Sequence, residues 1–238
     1  MAPLPPYHPD SYLRHWRIAS ALRSMTSSGS VLSVGDRRFE LSNYLPGFSV
    51  ATLDVRPCHV VPAGQTFIEA DFARSRLRND SFDFVVVSDV LEHVPPSDRV
   101  LFLREAQRVA SRCAFICFPA GDAARAIEAI IRNSRSRKNW RDALDEHALF
   151  GLPTMVEVET ALREAGGFYQ ITPLTTVWEW LASFVFDETD GENSDLLVEY
   201  CNLLNAGATL DPGAGPIYRY LVTIDMLSAA NQPNASQA

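Results

Sequence analysis

Residues 81–94 read Ser81-Phe82-Asp83-Phe84-Val85-Val86-Val87-Ser88-Asp89-Val90-Leu91-Glu92-His93-Val94, and the fold is decided here. Phe82 to Val87 is an apolar run that ends at Ser88-Asp89. A strand that is apolar at successive positions is buried on both faces, which is the condition of a parallel sheet covered by helices.

The same pattern extends outward on both sides. Upstream, Val31 to Val34 is a short β-rich run ending in Gly35, Val50 to Val55 is a second with Asp54 at its end, and Thr66-Phe67-Ile68 is a third that runs into Glu69-Ala70-Asp71-Phe72. Between the first two, Leu41, Tyr44, Leu45 and Phe48 recur at helical spacing until Pro46-Gly47. Downstream, a helix is expected after Pro95-Pro96, capped by Ser97 or Asp98, with Leu101, Leu103, Ala106 and Val109 inward. Cys113 to Phe118 is a fifth strand. Ala123 to Ile131 is helical, Thr154-Met155-Val156-Glu157 is a capping box whose helix ends at Gly166-Gly167, and Phe168 to Thr172 is a sixth strand. An aromatic helix follows, then a helix from about Ser194 to Leu204, and Tyr218 to Ile224 is the last strand. The expected fold is an α/β, Rossmann-like three-layer sandwich. Its sheet has seven strands and is mostly parallel.

Three strand ends carry chemistry. Gly35 closes a strand-to-helix turn, where the absence of a side chain lets backbone approach a ligand. Asp54 lies about twenty residues beyond it, the spacing at which an acid accepts both hydroxyls of a ribose. Asp71 can accept an exocyclic amino group while Phe72 packs on a ring face. Each feature alone is equally an ordinary turn, a surface acid or a helix cap, but they occur in order on successive strands.

These residues, with Leu53-Asp54-Val55 and the run from Ser81 to Val94, resemble the successive motifs of class I S-adenosylmethionine-dependent methyltransferases. Val-Leu-Glu-His-Val after the fourth strand is the most specific of them, resembling members that act on small molecules, lipids and sugars. The resemblance covers residues 30 to 120 and extends more weakly through Phe150-Gly151-Leu152-Pro153-Thr154. It implies S-adenosyl-L-methionine as cofactor, with contacts at Gly35, Asp36, Arg37, Asp54, Val55, Asp71, Phe72, Ser88 and Asp89. It also implies a small-molecule, sugar or lipid acceptor, and a sheet whose last strand is antiparallel. Two positions depart from the family: Ser33 stands where an acid is usual, and Arg37 where a second glycine is usual.

A hydroxyl or amine acceptor calls for a base, and His93 and His147, the latter read in the loop before the capping-box helix, are the catalytic candidates. Arg132, Arg135, Arg137, Lys138 and Arg141 form a basic cluster, read first as a solvated helix end and second as a site for an anionic substrate or membrane surface. Trp178, Trp180, Phe184 and Phe186 are read as core, with a pocket roof or a homodimer face as the alternatives. The acidic turn Asp187, Glu188, Asp190 and Glu192 lacks calcium-loop spacing, and no bound metal is expected.

Composition bounds the rest. With 238 residues, 47% hydrophobic and 21% charged, the chain is ordinary globular material. A net charge of −8 argues against nucleic-acid binding. Four cysteines without a CxxC pair suit reduced thiols, and the start Met-Ala-Pro-Leu-Pro-Pro suits neither signal peptide nor anchor, so a cytoplasmic protein is expected. The expected organisation is an N-terminal arm and helix (1–29), a methyltransferase domain (30–228) with a helical insertion around 176–208, and a flexible tail (229–238). Two rivals differ in class. One is an inactive methyltransferase-like scaffold. The other is a nicotinamide oxidoreductase, disfavoured because no GxGxxG follows the first strand.

Overall fold

The computed structural model describes residues 9–133, 141–188 and 215–226. The expected helix from about Ser194 to Leu204, Asp190 and Glu192 of the acidic turn, the basic residues Arg135, Arg137 and Lys138, and both terminal segments lie outside them.

The seven strands are β1 (Gly29–Val34), β2 (Phe48–Asp54), β3 (Thr66–Glu69), β4 (Phe82–Ser88), β5 (Ala110–Pro119), β6 (Phe168–Thr176) and β7 (Ile217–Asp225). They form one sheet in the order β3-β2-β1-β4-β5-β7-β6, in which β7 runs antiparallel to both neighbours and the rest are parallel. The expected sandwich is therefore the observed one. The helices are α1 (Pro9–Met25), α2 (Arg99–Val109), α3 (Gly121–Asn133), α4 (Arg141–Phe150), α5 (Met155–Ala165) and α6 (Val177–Glu188). No helix among the described residues is long and apolar enough to cross a membrane.

Side chains alternate between the two faces of the central strands. Leu32 and Val34 of β1 and Val85 and Val87 of β4 pack with Phe102, Leu103 and Ala106 of α2 and Leu162 of α5. Val31, Phe84 and Val86 point the other way, into a cluster with Tyr12, Leu13, Ile18 and Leu22 of α1. Both faces are covered, which is why these strands carry no polar alternation.

Local differences from expectation have physical reasons. A 3-10 turn, Pro96–Asp98, precedes α2, and Asp98 makes no side-chain cap bond. The buried stripe of α2 runs through Phe102, Leu103, Ala106 and Val109, so Leu101, one hundred degrees away on the helix, is exposed rather than inward. The helical spacing after Leu41 yields only a 3-10 turn, Leu41–Tyr44. Trp180 is core and stacks on Tyr218 at 4.2 Å, whereas Trp178 is exposed. The capping box forms as read, with Thr154 and Glu157 bonded reciprocally.

α1 is fastened to the sheet by polar contacts as well as apolar ones. Glu40 accepts from Ser11 and lies 3.4 Å from Nδ1 of His15. Burial alone would raise this carboxyl, but hydrogen bonding to His15 and Ser11 outweighs it and holds the group at about 2. A depressed carboxylate stabilises the fold above its unfolded value of about 4.5 and loses that contribution as pH falls towards 2. The urea-unfolding difference between wild type and Glu40→Gln is therefore expected to shrink between pH 5 and pH 2.5. A difference constant over that range would show that Glu40 is not the titrating group.

Candidate active site

The strand order reverses direction between β1 and β4, and the crevice outside the carboxyl ends of strands at such a point is where doubly wound sheets bind ligands. A cleft of about 520 Å³ opens there. Its floor and walls come from Val34 and Gly35 after β1, Leu53 to Arg56 after β2, Ala70 to Arg74 after β3, and Asp89, Val90 and His93 after β4, with Asp142, Ala143 and Glu146 of α4 closing one side.

Of the residues expected at the cofactor, Gly35, Arg37, Asp54, Val55, Asp71, Phe72 and Asp89 line this cleft, and so does His93. Gly35 has φ +85°, and a Cβ there would sit 2.3 Å from Cγ2 of Val90. Asp54 accepts from the backbone of Arg56 at 2.8 Å, leaving its second oxygen 3.8 Å from Nε of Arg37. Asp71 caps the 3-10 turn Phe72–Arg74, accepting from Ala73 N at 3.1 Å, and the Phe72 ring meets Phe102 edge-on at 5.0 Å.

Asp36 and Ser88 are outside the lining. Asp36 is buried and accepts from the backbone of Glu40 at 3.0 Å and Leu41 at 2.9 Å, so it organises the turn after β1. In that turn Phe39, two residues after Arg37, is left-handed at φ +57°, as is Gly35. Ser88 is buried behind Asp89.

Asp89 is clamped. Arg14 of α1 bonds it, and Arg219 of β7 donates to it from Nε at 2.8 and 3.0 Å. Burial would raise this carboxyl, but the two guanidinium charges hold it far below the usual range. Asp10 of α1 receives the remaining Arg219 donors. Asp89 is thus a saturated anion, suited to shaping the wall and unsuited to accepting a proton.

His147 lies on α4 rather than in a loop, which brings it to His93 across the cleft wall. The two Nε2 atoms are 3.3 Å apart. Nδ1 of His93 is 2.9 Å from Glu146, and Nδ1 of His147 is 3.1 Å from both oxygens of Glu128, which also accepts from the Tyr218 hydroxyl at 2.7 Å. Burial lowers His93, and the charge of His147 lowers it further against the pull of Glu146. Burial also opposes charge on His147, but Glu128, Glu92 and Asp89 outweigh it and raise that ring. Glu92 is buried behind them, pushed up to about 8 by burial and by the Asp89 charge.

Sequence reading passed over Glu92, Glu146, Glu128, Arg14 and Arg219. A signal existed for the first two: the chain holds two Glu-His pairs, Glu92-His93 and Glu146-His147, and the fold crosses them.

Sheet order, cleft and antiparallel β7 together define a Rossmann-like fold with its cleft at the strand-order reversal. A family model described as a methyltransferase domain matches residues 47–118. No curated protein matches the chain in sequence. Solved structures similar in fold include the plantazolicin methyltransferase BamL, in complex with a triazolic desmethylPZN analog and SAH (15% identity, 91% of this chain and 86% of that one, TM-score 0.59). The plantazolicin methyltransferase BpumL, in complex with SAH, is similar (14%, 92% and 84%, 0.59). So is phosphoethanolamine N-methyltransferase 2 of Haemonchus contortus, in complex with S-adenosyl-L-methionine (14%, 88% and 52%, 0.55). The chain thus shares the fold of these methyltransferases, and its central segment, residues 47–118, matches the methyltransferase-domain model.

Proposed function

We propose that the protein transfers a methyl group from S-adenosyl-L-methionine to an oxygen or nitrogen of a small-molecule, sugar or lipid acceptor seated against His93. The observation that carries this reading is the convergence of Gly35, Asp54 and Asp71, from three successive strand ends, on one cleft of about 520 Å³. Similar folds have been crystallised with S-adenosylmethionine or S-adenosylhomocysteine.

The cofactor supplies an electrophilic methyl on a sulfonium, so the protein's work is alignment and exclusion of water. Of the cleft residues, Asp54 would accept from the ribose hydroxyls, Asp71 from the adenine amino group, and Phe72 with Val55 would enclose the base. Nε2 of His93, whose Nδ1 is held by Glu146, would take the proton of the acceptor oxygen or nitrogen.

A second reading, a methyltransferase-like scaffold without activity, is favoured by one feature: Arg37 stands 3.8 Å from Asp54, on the oxygen a ribose would use. Calorimetric titration with S-adenosylmethionine and S-adenosylhomocysteine, with NAD as control, separates the two. Micromolar binding weakened about 10–100-fold in Asp54→Ala, the effect of losing hydrogen bonds to a charged group, supports the enzyme. Undetectable binding supports the scaffold.

A further inference from the structure

The structure assigns a second binding site to this chain: we infer that Glu92, His93 and His147 hold a divalent first-row transition-metal ion in the wall of the cleft. One ligand atom from each of the three lies within 4.8 Å of the others. The expectation of no metal rested on the acidic turn near residue 190, a different part of the chain.

The hydrogen bonds of the two rings set their tautomers. Each Nδ1 faces a carboxyl group, Glu146 for His93 and Glu128 for His147. A carboxylate can only accept, so each Nδ1 carries the proton and each neutral ring presents a bare lone pair at Nε2. Those two lone pairs face each other across 3.3 Å. They repel unless a proton or a cation lies between them. The separation suits a cation: zinc–nitrogen bonds of about 2.0–2.1 Å at the tetrahedral angle place the two nitrogens about 3.3 Å apart.

The third ligand is marked independently. Glu92 is 1% exposed, and neither carboxylate oxygen has a hydrogen-bond partner among the described residues. A buried carboxyl left unpaired is costly, and a cation between it and the rings removes that cost. Asp89, the next carboxylate along, is saturated by Arg14 and Arg219 and so is not a ligand. Two imidazoles and one carboxylate suit zinc, iron, cobalt or nickel rather than calcium or magnesium. The carboxylate-to-imidazole bonds behind both rings are the outer contacts that orient metal-ligating histidines. Because His93 lines the cleft while Glu92 and His147 are buried, the ion's open position faces the cleft. That an acceptor oxygen fills this position rests on the methyl-transfer reading, and there the ion, by lowering the acceptor's pKa, takes over deprotonation from Nε2 of His93, which becomes its ligand; binding of the ion does not rest on that reading.

The test uses tag-free protein freed of metal by a chelator and titrated with Zn²⁺ and Co²⁺. One saturable site per chain is expected, with visible ligand-field absorption for Co²⁺ and movement of both ring Nε2 resonances in wild type on adding Zn²⁺. His93→Asn and His147→Asn should abolish the site, and Glu128→Gln, which touches no ion, should weaken it 10–100-fold. Wild-type protein without a saturable site, or ring resonances unmoved by Zn²⁺, would overturn the inference and leave a shared proton between the rings. The wild-type ring signals decide the matter even where a variant does not fold. S-adenosylhomocysteine is titrated in parallel. Metal binding without it overturns the cofactor reading alone, and its binding without metal overturns the ion site alone.

Discussion

Arg219→Met is expected to cost about 3–5 kcal/mol of stability, the range for removing one partner from a buried ion network. Arg219 is 2% exposed and joins Asp10 of α1 to Asp89 after β4. Methionine fills much of the same volume, so the loss is electrostatic: Asp10 and Asp89 both lose the guanidinium that bridges them. For a chain of this length the melting temperature should fall on the order of 10 °C. Arg219→Lys should recover only part of this, because an ammonium cannot reach both carboxylates with a planar fork. Urea denaturation of the three proteins measures it. A loss below about 1 kcal/mol in the methionine variant would mean that the network is offset by its own desolvation.

Gly35→Ala is the second large effect. At φ +85° an L-residue is strained by about 1–2 kcal/mol, and its Cβ would stand 2.3 Å from the Val90 methyl, a collision that repacking relieves at about 1–3 kcal/mol. The sum, about 2–5 kcal/mol, has two separable parts. Val90→Ala removes the collision and leaves the strain, so the double variant should regain roughly half the loss. If it regains nothing, the glycine is required by backbone conformation alone. S-adenosylhomocysteine affinity should fall in Gly35→Ala as well, because Gly35 and Val90 both line the cleft.

Much of the fold was legible because sheet and helix periodicity are local properties. Val85 and Val87 face one layer and Phe84 and Val86 the other, and a chain that must bury both faces writes this as an unbroken apolar run. Asp54 and Asp71 were legible as cleft residues because strand ends follow from the same pattern. The turn after β1 was not. Asp36 turned inward to the backbone of Glu40 and Leu41, a choice made by local hydrogen bonding that no spacing reveals. Arg219 was hidden for the opposite reason: a guanidinium in an otherwise apolar strand reads as a solvent-facing position until Asp10 and Asp89 are known to meet it. The His93–His147 contact depended on α4, whose residues carry too short and too polar a pattern to separate helix from loop.

The placement of β7 bears on how the protein comes into being. Among the described residues β6 pairs with β7 alone, and β7 enters the sheet between β5 and β6 although it follows both in the chain. It also brings Arg219, which fixes the acidic wall of the cleft, and Tyr218, which holds Glu128 behind His147. A nascent chain still lacking residues 217–225 can zip β1 to β5 on the ribosome, yet it has no ladder for β6 and no finished binding pocket. Synthesis of β7 therefore completes both the sheet and the wall of the cleft. A quality-control protease that trimmed this strand would abolish the site while leaving five of the seven strands intact.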